Sequence, residues 1–315
     1  MYIVTGGAGF IGANIVHGLN KRGIKDILVV DNLEKAVKFL NIRDLDYADF
    51  MDKREFRKHL ARGLFDDLKI DAIFHEGACS DTMEYDGRYM MDNNFTYSKE
   101  LLHFALENAI PYIYASSAAT YGASSKFVEE RANEKPLNVY GFSKLFFDRY
   151  ASQFFADAKA TIAGLRYFNV YGPREQHKGK MASQHYQIYY QLRDTGFSTL
   201  FEGSGGYEHG GQRRDFIYVG DIVDINFFLS DGPPITGIFN AGTGKSRSFN
   251  AIPRTLIKLF GKGEIRYREM PEVLKDKYQS FTEADMSRLR AAGFNQEFTS
   301  LEDGIGKYFK YLNEQ

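Results

Sequence analysis

Apolar and polar positions follow two alternating patterns along the first half of the chain. Short apolar runs bounded by turn residues cover Tyr2 to Thr5, Ile27 to Asp31, Ala72 to His75, Tyr112 to Ser116 and Thr161 to Phe168. Each reads as a strand buried on both faces. Between them, apolar residues recur at helical spacing in Ile11 to Lys21, Met90 to Asn108 and Val139 to Phe155. Strand–helix–strand repetition predicts βαβ units. Right-handed crossovers then give an α/β fold with a doubly wound parallel sheet and helices on both faces.

After Asn169 the pattern changes. Residues 172–214 are rich in Gly, Arg, Lys and His around one helical stretch, Ala182 to Arg193. Strand-like pieces follow at Asp215 to Val219 and Gly237 to Ala241, and helical patterns return at Thr282 to Ala292 and Ser300 to Leu312. No repeat and no Pro/Gly/Ser linker divides the chain. The expectation is a sheet unit from 1–169 plus 215–242, and a smaller α/β substrate-binding unit woven from 170–214 plus 243–315.

Composition narrows the class. The chain has 315 residues, enough for one large unit or two interlocked ones. Its formal net charge of -1 lacks the basic excess of a nucleic-acid binder. The single cysteine, Cys79, cannot form an internal disulfide and fits a reducing, cytoplasmic compartment. No apolar run approaches the roughly 18 residues of a membrane span. The stretch Met1 to Gly6 reads as a strand that starts at once and not as a signal peptide.

Thr5-Gly6-Gly7-Ala8-Gly9-Phe10-Ile11-Gly12 follows the first strand and opens the first helix. Gly6, Gly9 and Gly12 suit a tight turn, close backbone approach to a pyrophosphate, and close packing of helix on sheet. The helix N-terminus then faces the phosphates with free N–H groups. This strand–loop–helix context points to dinucleotide binding. Asp31, at the end of the second strand, is placed to bond the adenosine ribose. Alone it favours NAD, while Lys35, Lys38 and Lys53 nearby could pair with a 2′-phosphate. Spacing leaves NAD and NADP both open.

Tyr140 and Lys144 are four apart on a helical stretch and share one face. A tyrosine pKa of about 10 is too high for a base at neutral pH, and an ammonium beside it would lower that value. The spacing alone is common in a chain with 21 tyrosines. Its position gives it weight: it opens the helix after the strand ending in Ser116-Ser117-Ala118-Ala119-Thr120-Tyr121-Gly122, whose hydroxyls lie at the carboxyl edge of the sheet.

The loop Thr5 to Gly12, the segment Ser116 to Gly122 and Tyr140-Gly141-Phe142-Ser143-Lys144 together resemble the extended short-chain dehydrogenases/reductases. Arg166 to Pro173 and Arg214 to Asp221 are similar to markers of that family's nucleotide-sugar members. Phe74 to Ser80, Tyr89 to Asn94, Gly172 to Gly179, Phe201 to Ser204 and Tyr278 to Thr282 resemble the branch that epimerises ADP-activated heptoses. The resemblance runs across essentially the whole chain.

It implies a Rossmann fold, tightly bound NADP, and inversion of a carbon outside the sugar ring through a transient ketone, in the supply of heptose for lipopolysaccharide. Tyr140 would be one acid/base and Lys178 the second. Ser116 would orient the reacting oxygen, and Lys144 would hold the ribose and tune Tyr140. Cofactor contacts would come from Gly6, Gly9, Phe10, Ile11, Gly12, Asp31, Asn32, Glu76, Gly77, Ala78, Ser80, Asn93, Lys144, Val170 and Lys178, with Lys38 and Lys53 on the 2′-phosphate. Ser116, Asn169, Phe201, Glu202, Gly203, Ser204, Arg214 and Tyr278 would hold the ADP-sugar. Lys180 and Gln187 stand in the same substrate region, where the family usually has serine and histidine. The loop Gly205 to Gln212 is longer than usual. The resemblance also implies a homo-oligomer, a pentamer, and assigns no residue to a metal.

Three other readings compete. A nucleotide-sugar dehydratase would need an Asp-Glu pair after the catalytic hydroxyl, where this chain has Ala118 and Ala119, which transfer no protons. A UDP-hexose 4-epimerase would use Tyr140 and Lys144 on a ring carbon with NAD. A non-catalytic dinucleotide sensor would have no need of Tyr140, Lys144 and Ser116 together.

Overall fold

The structure, a computed structural model, describes residues 1–271 and 279–315. The chain opens with β1 (Tyr2–Thr5), α1 (Phe10–Lys21), β2 (Ile27–Asp31), β3 (Asp49–Asp52), α2 (Lys53–Ala61) and β4 (Ala72–His75). Next come α3 (Gly87–Met91), α4 (Tyr97–Glu107), β5 (Tyr112–Ser117), α5 (Val139–Ala151), β6 (Ile162–Tyr167) and β7 (Asn169–Tyr171). The second half holds α6 (Gln184–Thr195), β8 (Phe197–Phe201), β9 (Arg213–Arg214), β10 (Phe216–Tyr218), α7 (Val219–Asp231) and β11 (Thr236–Ala241). It ends with β12 (Arg247–Ser248), α8 (Ala251–Phe260), β13 (Glu264–Arg268), α9 (Ser287–Ala291) and α10 (Leu301–Asn313).

Seven strands form one sheet in the order β11-β6-β5-β4-β1-β2-β3, every pair parallel. A parallel sheet needs cover on both faces, and side-chain alternation supplies it. Val4 and Val29 point into a core with Ile15, Val16, Leu19 and Phe227, carried by α1 and α7. Ile3 and Leu28 point the other way, into a core with Leu101, Phe147 and Ala151 from α4 and α5. A third core, including Tyr171, Ile188, Leu192, Leu200, Ile252 and Ile305, joins β7, α6, β8, α8 and α10. Among the described residues no helix is long and apolar enough to cross a membrane.

Strand order reverses at β1, which has β2 on one side and β4 on the other. Thr5 registers with His75, so the loops leaving β1 and β4 emerge side by side. Crevices at such reversals are where open α/β sheets bind ligands.

The expected strands and the three early helices are present, with adjusted ends. Thr161 and Phe168 fall outside β6, and the run to Phe155 leaves α5 at Ala151 for a 3₁₀ turn at Ser152–Phe154. Asp215 falls outside β10, and Val219 begins α7 instead of ending a strand. The helical pattern at Thr282 to Ala292 yields only the short α9. The stretch Met90 to Asn108 is interrupted by a π-helical turn at Asp92–Thr96. The extra residue in that turn lets the adjacent Asn93 and Asn94 both face inward.

Candidate active site

At the start of α1 three glycines are sterically required. Gly6 has φ 64°, and a Cβ there would lie 2.7 Å from the backbone of Glu76 and Gly77. A Cβ on Gly12 would lie 2.3 Å from the Gly6 carbonyl oxygen, and one on Gly9 2.9 Å from it. Gly9 caps α1 without a side-chain hydrogen bond, and the first turn carries no acid. The first N–H groups of a helix have no partner within it, so this terminus suits the pyrophosphate of a dinucleotide.

Asp31 is buried at the adjacent strand end. Its carboxylate accepts from the Ala8 amide at 3.0 Å, the Asn32 amide at 2.7 Å and the Lys38 ammonium at 2.7 Å. Lys38 thus neutralises the acid that would otherwise repel a 2′-phosphate. Lys53 donates to Asn93 Oδ1 at 2.6 Å, on the π-helical turn, and burial holds its pKa below the ordinary lysine value. Asn94, the next residue, exchanges hydrogen bonds with the Cys79 backbone at 2.8 and 2.9 Å and so fixes the loop after β4.

Tyr140, Lys144 and Asp148 repeat every four residues along one face of α5. Tyr140 and Lys144 line the main cavity. Burial pushes the Tyr140 phenol above its ordinary pKa, and its polar interaction with the Ser117 hydroxyl works in the opposite direction. The Lys144 ammonium donates to the Ala115 carbonyl at 2.7 Å, and burial brings its pKa down to about 8. Beside it, burial raises Glu76 to about 7, although the Tyr167 hydroxyl donates to its carboxylate at 2.8 Å.

Ser116 departs from expectation. It borders the cavity, but it is buried and its hydroxyl donates to Asp148 Oδ2 at 2.9 Å. Arg166 donates to the same oxygen at 3.0 Å and to Glu134 at 2.6 Å. Successive strand residues face opposite ways. The serine hydroxyl beside Tyr140 is that of Ser117, a cavity-lining residue to which no role falls from the sequence alone.

Lys178 sits on a 3₁₀ turn at Gln176–Met181. Its ammonium lies 5.3 Å from the ring centre of Phe10 in the glycine loop, and burial lowers its pKa. One cavity of about 970 Å³ takes in all the residues expected to hold the cofactor. It also takes in Ser116, Tyr140, Lys144, Asn169, Lys178, Lys180, Gln187, Phe201 and Arg214.

Glu202, Gly203 and Ser204 do not line it. They precede the long loop, which folds back on them: Gln212 donates to the Glu202 carbonyl at 2.9 Å and to Ser204 Oγ at 3.1 Å, and the Gly203 amide donates to His209 at 3.1 Å. Gln187 spends its side-chain amide on the Gly179 carbonyl at 2.8 Å, so it braces the Lys178 turn. Tyr278 lies outside the described residues. Arg268, His185 and Phe249 also line the cavity and were not foreseen. Arg268 stands opposite Phe201 in the β13–β8 register, its guanidinium 5.1 Å from that ring centre. No motif marks it; only strand pairing brings it there.

Residues 2–242 match the NAD dependent epimerase/dehydratase family. A structure of Helicobacter pylori ADP-L-glycero-D-manno-heptose-6-epimerase superposes with a TM-score of 0.86 at 29% identity, covering 100% of this chain and 96% of that one. A Thermotoga maritima UDP-glucose 4-epimerase with UDP-glucose gives 0.81 at 25% identity, covering 99% and 98%. A Thermus thermophilus UDP-glucose 4-epimerase with NAD gives 0.79 at 25% identity, covering 99% and 98%.

Proposed function

The chain belongs to the NAD dependent epimerase/dehydratase family, and from that premise we propose that it inverts C6″ of ADP-D-glycero-D-manno-heptose through a transient ketone with bound NADP. The observation that carries the reading is the arrival of two proton-transfer groups, Tyr140 from α5 and Lys178 from the loop after β7, at one cavity. Inverting a carbinol carbon needs an acid/base for each of its two faces. The sequence likeness of Phe74 to Ser80 and of Gly172 to Gly179 to the heptose branch supports the substrate.

Glycine-loop amides would hold the pyrophosphate, and Lys38 with Lys53 the 2′-phosphate. A bound nicotinamide would supply a reversible hydride acceptor for the carbinol carbon. The residues of the chain do the remainder. Ser117 orients the reacting oxygen. Tyr140 takes its proton for one epimer and Lys178 for the other, each returning a proton as the ketone is reduced. Lys144 steadies the ribose and favours the phenolate. Arg214, Phe201 and Asn169 grip the nucleotide sugar. The division into a cofactor unit (1–169 plus 215–242) and a substrate unit (170–214 plus 243–315), and a pentameric homo-oligomer, are part of the same proposal.

The test is to incubate purified protein with ADP-D-glycero-D-manno-heptose and no added cofactor, then resolve the 6″ epimers and assay cofactor released on denaturation. Interconversion with stoichiometric NADP is expected. No conversion, with NAD released and UDP-glucose epimerised instead, would overturn the heptose assignment and leave the Tyr140 chemistry standing.

A further inference from the structure

The turn that carries Lys178 belongs by sequence to the substrate side, yet it is fastened to the cofactor side. The Pro173 carbonyl accepts from Asn14 Nδ2 on α1 at 2.9 Å. Arg174 is buried and has φ 72°, a left-handed conformation uncommon for a residue with a Cβ. Its guanidinium makes a two-pronged pair with Asp44 at 2.8 and 2.7 Å and also bonds the Asn41 carbonyl. Paired forks of this kind fix orientation as well as distance.

Asn41 is fully buried, and its amide donates to the Ala8 carbonyl in the glycine loop and to His177 Nδ1, both at 2.9 Å. The acceptor role requires a neutral ring with the proton on Nε2. Burial, reinforced by the Lys38 and Lys178 ammoniums, holds His177 neutral by lowering its pKa to about 4. Lys178 is the next residue. Neither Asn41 nor Asp44 lines the cavity.

We infer that Asn41 and Asp44 are positioning residues for Lys178, aligning it through Arg174 and His177 with the same glycine loop that would hold the cofactor. The inference rests on Lys178 being the second acid/base of the proposed epimerisation. A lysine has four rotatable side-chain bonds, so its ammonium meets a defined carbon face only if its backbone is held against the group that sets that face. The fastening does this. It references Lys178 to Ala8, Phe10 and Asn14, alongside the Gln187 brace that reaches the same turn from α6.

The experiment uses cofactor-loaded protein and each of the two heptose epimers. Nicotinamide absorbance is followed in a single turnover after mixing. Oxidation of one epimer draws on Tyr140 and that of the other on Lys178. Lys178→Ala identifies the Lys178-dependent epimer. Asp44→Ala should slow that epimer by about ten- to a hundred-fold, as a misplacement on the ångström scale does, and leave the other unchanged. Asp44→Glu, which can still reach Arg174, should recover much of the rate. If Asp44→Ala does not fold, Asp44→Asn, which keeps the shape and gives up the charge, carries the same test. Equal slowing of both epimers, or of neither, while Lys178→Ala slows one, would overturn the inference. If Lys178→Ala itself slows neither, the two-base reading falls and the inference falls with it.

Discussion

The floor of the cavity, at the glycine loop, is made by backbone, and its far wall, around Phe201 and Arg268, is made by side chains from segments far apart in the chain. On the floor, Gly6, Gly9 and Gly12 have carbonyls or amides packed where a Cβ would go, and the parallel register of β1 with β4 fixes the rest. On the far wall, β8 must meet β13, and the long loop must fold back on Gln212, before Phe201 and Arg268 face the same space. A floor of this kind tolerates no change of residue type at a few positions. A wall of this kind tolerates change at single positions and decides what is bound.

The largest effect should come where the two regions meet. Tyr140→Phe removes the phenol hydroxyl proposed to transfer a proton and keeps the ring that packs on α5. Turnover should fall about 10²- to 10⁴-fold with cofactor retention unchanged. Assayed on the purified variant, turnover near the parent's would remove Tyr140 from the chemistry.

The next contrast sets the regions directly against each other. Gly12→Ala drives a Cβ into the Gly6 carbonyl and should cost about 3 kcal/mol of stability in urea unfolding, with loss of bound cofactor. Gly206→Ala, in the long loop with φ 84° and open space around it, should cost only about 1 kcal/mol. Equal costs would break the distinction.

A pH effect sharpens it. The Glu76 pKa in the folded protein is about 7, above its ordinary value of 4.5. The folded chain therefore holds an extra proton between those values. Its contribution to stability is fully present below pH 4.5 and is lost as the pH rises through about 7. In cofactor-free protein, Glu76→Gln should flatten the decline in stability between pH 5 and pH 8 by about 2 kcal/mol. An unchanged slope would show that the carboxyl is ionised throughout.

The smallest effect should lie on the far wall. Arg268→Ala should raise KM about tenfold with kcat little changed, the worth of one charge-assisted hydrogen bond to the substrate. A drop in kcat with unchanged KM would move Arg268 into the chemistry.

The same contrast explains what the sequence made legible. Strands β1, β2, β4 and β6 are buried on both faces and stand out as apolar runs. The glycine loop and the four-residue spacing of Tyr140 and Lys144 are local, so a linear reading finds them. Strand β3, at the sheet edge and half-exposed, has no such run. Helix α7 begins at Val219, the last residue of a run that reads as a strand, and carries Gly220, a poor helix former, in its first turn. Among the described residues, strands β8 and β13 pair only with each other, across an interval of more than sixty residues, which periodicity does not report. Ser116 and Ser117 differ by a single step along β5. Only the sheet shows that the first is turned toward Asp148 and the second toward Tyr140.

In the proposed epimerisation the inverted carbon loses and regains the same hydrogen while held in one cavity. The decisive experiment epimerises ADP-D-glycero-D-manno-heptose deuterated at C6″ in ordinary water and follows the label into the product by mass spectrometry. Hydride return requires that the deuterium stay at C6″ in the L-glycero product. Loss of the label to solvent would contradict it, because the carbon would then have been inverted by deprotonation and not by oxidation and return.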